Sequence, residues 1–188
     1  MNRTFTILMA ICLLLPVAAW SSEDQELRQT VQGFYGWVLR HGEAVSNVQP
    51  KIRQVSQSKR LYLDLSSLPA FKSEFMRSGY FAPTFSEAVN RYYEKQQTKL
   101  EALRQEDFNQ LAKDGRGPMM ETEDMDIFFC AQEYEYKKRF ITQMKVKTSQ
   151  KANRTAKAVV ESPLGWDTTF QFSKVKGRWL IAGYCVYQ

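Results

Sequence analysis

The chain has 188 residues, 26 lysines and arginines against 20 aspartates and glutamates, a formal net charge of +6 and 13% aromatic side chains. That length suits one ordinary domain with a sizeable core, and so many rings exclude a disordered chain. One histidine and three cysteines supply no zinc constellation of the usual kind, no cofactor motif is present, and no nucleic-acid motif accompanies the net charge.

The first element is a leader. Arg3 gives a short positive start, residues 7–19 are apolar apart from a proline, and Val17, Ala18 and Ala19 supply small side chains for cleavage. This pattern predicts a signal peptide over 1–19, cut near Ala19, and a periplasmic or secreted domain over 20–188. The apolar run is shorter than the ~20 residues that span a bilayer, and no second such run follows. Cys12 lies inside the run, without the small preceding residue of a lipid-attachment box. Cys130 and Cys185 remain, and an oxidising compartment favours pairing them; two buried thiols are the alternative.

Leu27, Val31, Phe34 or Tyr35, and Val38 predict an amphipathic helix over 24–40, with Gly42 as its stop. Residues 46–60 read as a polar loop, and 61–65 as a short helix or an extended piece. Residues 66–69 break the pattern, and 70–78 predict a helix ending at Gly79. Thr84 and Glu87 have capping-box spacing. From there Val89, Tyr92 or Tyr93, Gln96, Leu100, Leu103 and Leu111 predict one long helix, irregular near Asp107 and ended by residues 115–118. An acidic loop follows over 119–126, and 128–132 read as a short strand or sheet edge.

The period then changes to two. Phe140, Thr142, Met144 and Val146 predict a strand, and so do Ala156, Ala158 and Val160. Trp166, Thr168, Phe170 and Phe172 predict a third. The last places Trp179, Ile181, Cys185 and Tyr187 on one face, with Gly183 as a bulge or bend. Turns over 150–153, 162–165 and 176–177 join them, the last with glycine at positive φ. Helices followed by a four-stranded antiparallel meander give the α+β class, with the helices on one face of a curved sheet.

Phe34-Tyr35-Gly36-Trp37 on the first helix, with a meander ending in Lys176-Gly177-Arg178-Trp179-Leu180-Ile181, resembles the nuclear-transport-factor-like (cystatin-like) superfamily. Asp126-Ile127-Phe128-Phe129-Cys130-Ala131-Gln132 resembles the Asp-x-Phe-x-Cys-Ala-Gln signature of a bacterial family of exported proteins of unknown function, with Glu133 where that family has Asp. The resemblance spans residues 24–188. It implies a cone-shaped α+β fold and pairing of open sheets into a homodimer, but no activity.

No spacing selects a catalytic pair. His41 reads as a helix-end residue. Glu121, Glu123, Asp124 and Asp126 are the densest acids; their spacing is not that of a calcium loop, and Asp126 alternatively hydrogen-bonds backbone to position the next strand. Asp64, Asp126, Tyr62, Tyr92 and Tyr93 are the groups that a cone pocket would use. Trp166, Phe170, Phe172, Trp179 and Tyr187 read as core, or as the lining of a ligand cavity.

Charge is the remaining signal. Residues 101–136 carry ten acids and three bases, and 137–188 carry eleven bases and two acids. Such asymmetry steers an oppositely charged protein. The expectation is a non-enzymatic binding protein that meets its partner through Glu121, Glu123, Asp124 and Asp126 or through Lys145, Lys147 and Lys157. An immunity protein against a periplasm-targeted toxin and an accessory subunit of an envelope complex are two versions of it. A binder of small apolar ligands and a cone-pocket enzyme are the alternatives.

Overall fold

The structure, a computed structural model, describes residues 22–55, 60–115 and 125–188. The expected signal peptide lies outside the described residues. Among the described residues no helix is long and apolar enough to cross a membrane.

Helix α1 runs Ser22–Asn47. It continues through Gly42 because the buried stripe continues, from Leu27 through Val38 to Val45. Gly42 is a site of close packing, not a stop. A Cβ there would stand 3.3 Å from the Phe128 ring and 3.5 Å from the Tyr136 ring. His41 is therefore inside the helix, exposed, with its ring 5.7 Å from Trp37.

The expected loop over 46–60 contains strand β1 (Lys51–Gln54), paired antiparallel with β2 (Leu61–Asp64). Only Leu63 of these two strands is buried, so β1 has no apolar alternation to announce it. Helix α2 (Leu68–Arg77) has Pro69 in its first turn, where the missing N–H costs nothing; the proline begins the helix where the sequence suggested a break. Helix α3 (Pro83–Glu101) starts on Pro83 after Ala82, so Thr84 and Glu87 form no capping box. The expected long helix is two. The chain breaks at 102–104, and α4 (Gln105–Lys113) begins where Asp107 Oδ2 accepts the Arg104 N–H at 2.7 Å.

The expected strand from Phe140 is helix α5 (Lys138–Gln143) in its first part. Phe140 and Ile141 are both buried, which adjacent residues of a half-buried strand cannot be. Strands β3 (Lys145–Lys151), β4 (Thr155–Glu161), β5 (Asp167–Val175) and β6 (Arg178–Tyr184) form one sheet in sequence order, antiparallel throughout. Helices packed on one face of this meander make the α+β class expected. The inward residues are Val146, Ala156, Ala158, Val160, Thr168, Phe170, Phe172, Trp179 and Ile181.

Helix α1 lies on that face. Thr30 Oγ1 donates to the Trp179 carbonyl at 3.0 Å, and Phe34 meets Phe170, Phe81 and Tyr184. Its first turn is fastened by charge: Lys174 Nζ donates to Glu23 at 2.7 Å, Lys151 stands 3.2 Å from Glu23, and Glu26 accepts the Trp179 N–H at 3.0 Å. Those two lysines hold the Glu23 carboxyl below the usual carboxylate range. The outer edge of β6 is covered by residues 80–82, which exchange backbone hydrogen bonds with Ile181 at 2.8 and 2.9 Å.

The last strand ends earlier than its pattern implied. Gln171 pairs with Gly183 and Phe172 with Ile181, so Ala182 is the extra residue of a bulge next to the expected Gly183. The chain then reverses: Tyr184 and Tyr187 exchange backbone hydrogen bonds at 2.9 and 3.0 Å. The Tyr187 carbonyl lies 2.8 Å from where a Cβ at 183 would be, so only glycine fits there. Cys185 thus sits at the tip of the reversal, and Tyr187 returns to the core, fully buried.

Candidate functional site: the Asp126 turn and its cleft

Sequence suggested a strand or edge over 128–132. The structure has a tight turn there, closed by Asp126. Asp126 Oδ1 accepts the N–H groups of Phe128 at 2.9 Å and Phe129 at 2.8 Å. Oδ2 accepts the Tyr136 hydroxyl at 2.5 Å. Its carbonyl accepts the Cys130 N–H at 2.8 Å, and its N–H donates to the Ala131 carbonyl at 3.0 Å. A carboxylate that takes two successive N–H groups favours this turn over an extended ladder.

The turn drives two rings into the core. Phe129 stacks on Tyr35 with centroids 4.9 Å apart, and Phe128 meets Phe75 at 6.1 Å. Tyr184 donates its hydroxyl to the Ile127 carbonyl at 3.0 Å, and Thr168 donates to the Phe129 carbonyl at 3.3 Å, which ties the turn to β6 and β5. Cys130 and Cys185 stand at disulfide distance, with Cα atoms 5.7 Å apart. The Asp-to-Gln segment is thus one device: a carboxylate closes it, two phenylalanines anchor it and a cysteine ties it to the C-terminal reversal.

A cleft of about 380 Å³ opens beside the turn, lined by Ser46, Gln49, Met125, Asp126, Ile127, Gln132 and Tyr134. Ser46 and Gln49 come from the end of α1 and the residues after it. Tyr134 stacks on Phe129 at 5.5 Å and meets Tyr136 edge-on at 5.2 Å; both tyrosines are exposed, at 37% and 44%. Behind Gln49, the Tyr93 hydroxyl approaches Gln49 and Tyr187 without completing a hydrogen bond.

Burial raises the Asp126 carboxyl above the usual carboxylate range, against the pull of the Tyr136 hydroxyl and the Phe129 and Phe128 N–H groups. Burial and the Asp126 carboxyl together push the Tyr136 phenol up. No cation among the described residues forms an ion pair with Asp126. Between the ordinary carboxylate pKa and the raised one, the folded protein holds a proton that the unfolded chain has lost. The contribution of Asp126 to stability therefore falls as pH rises through that window.

This sets an expectation for two variants. Asp126→Asn keeps an acceptor for both N–H groups and removes the buried charge, so it changes stability by less than about 1 kcal/mol. Asp126→Ala orphans two N–H groups and costs about 2–4 kcal/mol. Urea unfolding at neutral pH checks both; equal losses would show that the charge, not the turn, is what Asp126 supplies.

Glu121, Glu123 and Asp124 lie outside the described residues. Lys145, Lys147 and Lys157 are exposed on the uncovered face of the sheet. That face is less uniformly basic than the sequence suggested: Lys147 pairs with Glu161, and Asp167 stands opposite Glu161 in register. The pocket candidates do not converge. Asp64 accepts hydrogen bonds from Arg53 at 2.7 Å and the Ser66 N–H at 3.0 Å, Tyr62 is exposed on β2, and Tyr92 and Tyr93 are core rings. Of that set only Asp126 lines the cleft. Phe170, Phe172, Trp179 and Tyr187 are core; Trp166 precedes β5 and donates its indole N–H to the Glu133 carbonyl at 2.7 Å.

Sequence reasoning missed Ser46, Gln49, Gln132, Tyr134 and Tyr136. Tyr134-x-Tyr136 within an acidic stretch was the available signal, two large rings where a solvated loop needs none. Among the described residues no group of three histidine, cysteine, aspartate or glutamate side chains is placed to hold a metal ion. Comparison with known proteins finds no family model, no curated protein and no solved structure that matches this chain.

Proposed function

We propose that this chain is an exported, non-enzymatic binding protein that receives a protein partner on the surface around the Asp126 turn. The observation that carries the reading is the pair Tyr134 and Tyr136, exposed rings set on a hydrogen-bonded turn beside a half-buried carboxylate, with Glu133 and Glu135 next to them in the chain. Tyrosine in such a setting is enriched where proteins meet, because it brings contact area at small conformational cost. The apposed Cys130 and Cys185 fit an oxidising compartment, where a disulfide between them persists. An immunity protein or an envelope accessory subunit of the suggested exported family are the forms that this reading takes.

The same carboxylate favours a second reading, a pocket acid with a raised pKa. General acid catalysis also needs a partner group, and among the described residues the only other ionisable group that lines the cleft is Tyr134. Both oxygens of Asp126 are already committed to the turn, which supports positioning over proton transfer.

The test is capture of a partner from cell-envelope extract by the full chain, followed by charge reversal. Glu133→Lys with Glu135→Lys is expected to weaken the complex about tenfold or more and to reduce its salt dependence. Lys145→Glu with Lys157→Glu is expected to leave it within about twofold, because that face is remote from the turn in sequence and mixed in charge. The opposite ranking would move the interface to the sheet, and a stoichiometric partner indifferent to both would remove the surface assignment.

A further inference from the structure

Asp126 presents a chemical incongruity. Its carboxylate is half-buried and lines an open cleft, yet no ion pair with a cation accompanies it among the described residues. A carboxylate removed from water without a counter-charge is unfavourable, and native structures keep such groups where a cation or a ligand arrives. The hydrogen bonds it accepts are those of the turn: Oδ1 takes two N–H groups and Oδ2 takes the Tyr136 hydroxyl, which leaves one acceptor position on Oδ2.

The other lining groups narrow what could arrive. Ser46 Oγ and the side-chain oxygens of Gln49 and Gln132 are neutral acceptors; Tyr134 contributes a ring. A hard metal ion asks for six or more oxygens, several of them charged, and among the described residues this cleft offers one carboxylate. An anion would meet that carboxylate. An organic cation meets all of these groups favourably. Among organic cations, a guanidinium suits spread acceptors best, since it carries five N–H donors in one plane and stacks on aromatic rings; an ammonium is a point charge that satisfies fewer of them. The flanking charge agrees: Glu133 and Glu135 stand either side of Tyr134, with Lys137 3.1 Å from Glu135.

We propose that the cleft formed by Ser46, Gln49, Asp126, Gln132 and Tyr134 seats the guanidinium of an arginine side chain presented by the partner protein. This rests on the binding reading above and names the chemistry by which that partner is recognised. Asp126 Oδ2 accepts one N–H of the guanidinium, the amide oxygens and Ser46 take others, and Tyr134 covers one face of the plane.

The probe is N-acetyl-arginine amide, titrated into the full-length chain and followed by NMR at the backbone amides. N-acetyl-lysine amide and the neutral isostere N-acetyl-citrulline amide are the comparison ligands, and calcium ion is a fourth arm. The expected result is saturable shifts at residues 46–49, 126–127 and 132–134 with a dissociation constant of about 1–10 mM, as befits one side chain. The lysine amide is expected at least about threefold weaker, and the citrulline amide is expected not to saturate. Asp126→Asn, which keeps the turn, is expected to weaken arginine binding about tenfold, and Tyr134→Ala about threefold. No saturation by about 50 mM, shifts elsewhere in the chain, equal binding of citrulline or lysine, or saturation by calcium at the same residues each overturns the proposal. A captured partner that responds to Glu133→Lys and Glu135→Lys while the arginine probe stays silent removes this inference and leaves the binding reading. Seating of the probe with no partner captured does the reverse.

Discussion

Loss of the Cys130–Cys185 link is expected to lower the free energy of unfolding by about 4 kcal/mol. The two cysteines are 55 positions apart, so a bond between them removes a long loop's worth of disorder from the unfolded chain. The effect is expected to be sharpened by the backbone. Both residues have φ of 57°, in the left-handed region that costs a non-glycine residue about 1 kcal/mol or more. Without the link, only the hydrogen bonds of the two turns hold these residues there. Urea unfolding of the Cys130→Ser, Cys185→Ser double variant, alongside the native chain with and without reductant, measures the loss. Reductant should reproduce the variant's midpoint, and protease cleavage should concentrate in residues 125–136. A midpoint that reductant does not move would mean that the cysteines stand together as thiols.

The second large effect is expected in the aromatic core. Phe75 on α2 is fully buried and meets Trp37, Phe71, Phe81, Phe85, Phe128 and Tyr187 at centroid separations of 5.0–6.4 Å. It thereby joins both long helices, the Asp126 turn and the C-terminal reversal. Phe75→Ala should cost about 3–5 kcal/mol, because rings held from several directions cannot close the space left behind. Phe75→Leu refills most of the volume and should cost less than about 2 kcal/mol. Denaturant midpoints of the two variants give the comparison. A loss below about 1 kcal/mol in the alanine variant would show that the neighbouring rings collapse inward, and that this core is softer than its packing implies.

What the sequence made legible follows from how each element is stabilised. The three later strands were readable because one face is buried and the other wet, so Ala156-x-Ala158-x-Val160 and Thr168-x-Phe170-x-Phe172 write their period into the chain. Where burial is not one-sided, the period misleads. Phe140, Thr142, Met144 and Val146 alternate, yet Ile141 is buried as well, and α5 takes the first part of that stretch. Strand β1 was invisible because its pairing with β2 is almost wholly exposed. Glycine and proline misled by position: Gly42 serves a neighbouring ring and Pro69 opens a helix.

The site was half legible. Asp126 was marked as a residue that holds backbone, and it does so, although it closes a turn and begins no strand. The cleft itself was not readable, because it joins residues 46–49 to 125–134, and only the path of α1 past the turn brings those segments together. Polar lining residues such as Gln49 and Gln132 carry no periodic signature. They look like any solvated side chain until a fold surrounds them.

The fastening of α1 to the far end of the chain bears on the order of events in folding. Thr30 and Glu26 bond to Trp179 across 149 and 153 positions, and Glu23 bonds to Lys174 across 151. A polypeptide emerging from a ribosome or a membrane pore presents its first helix long before the strand that completes it. Before β6 is made, the rings of α1 can already meet Phe75, Phe81 and Phe129, but the bonds from Thr30 and Glu26 that fasten its start to Trp179 cannot form. Final closure then comes as one late step, slowed by the great length of chain that must be looped to bring the two ends together.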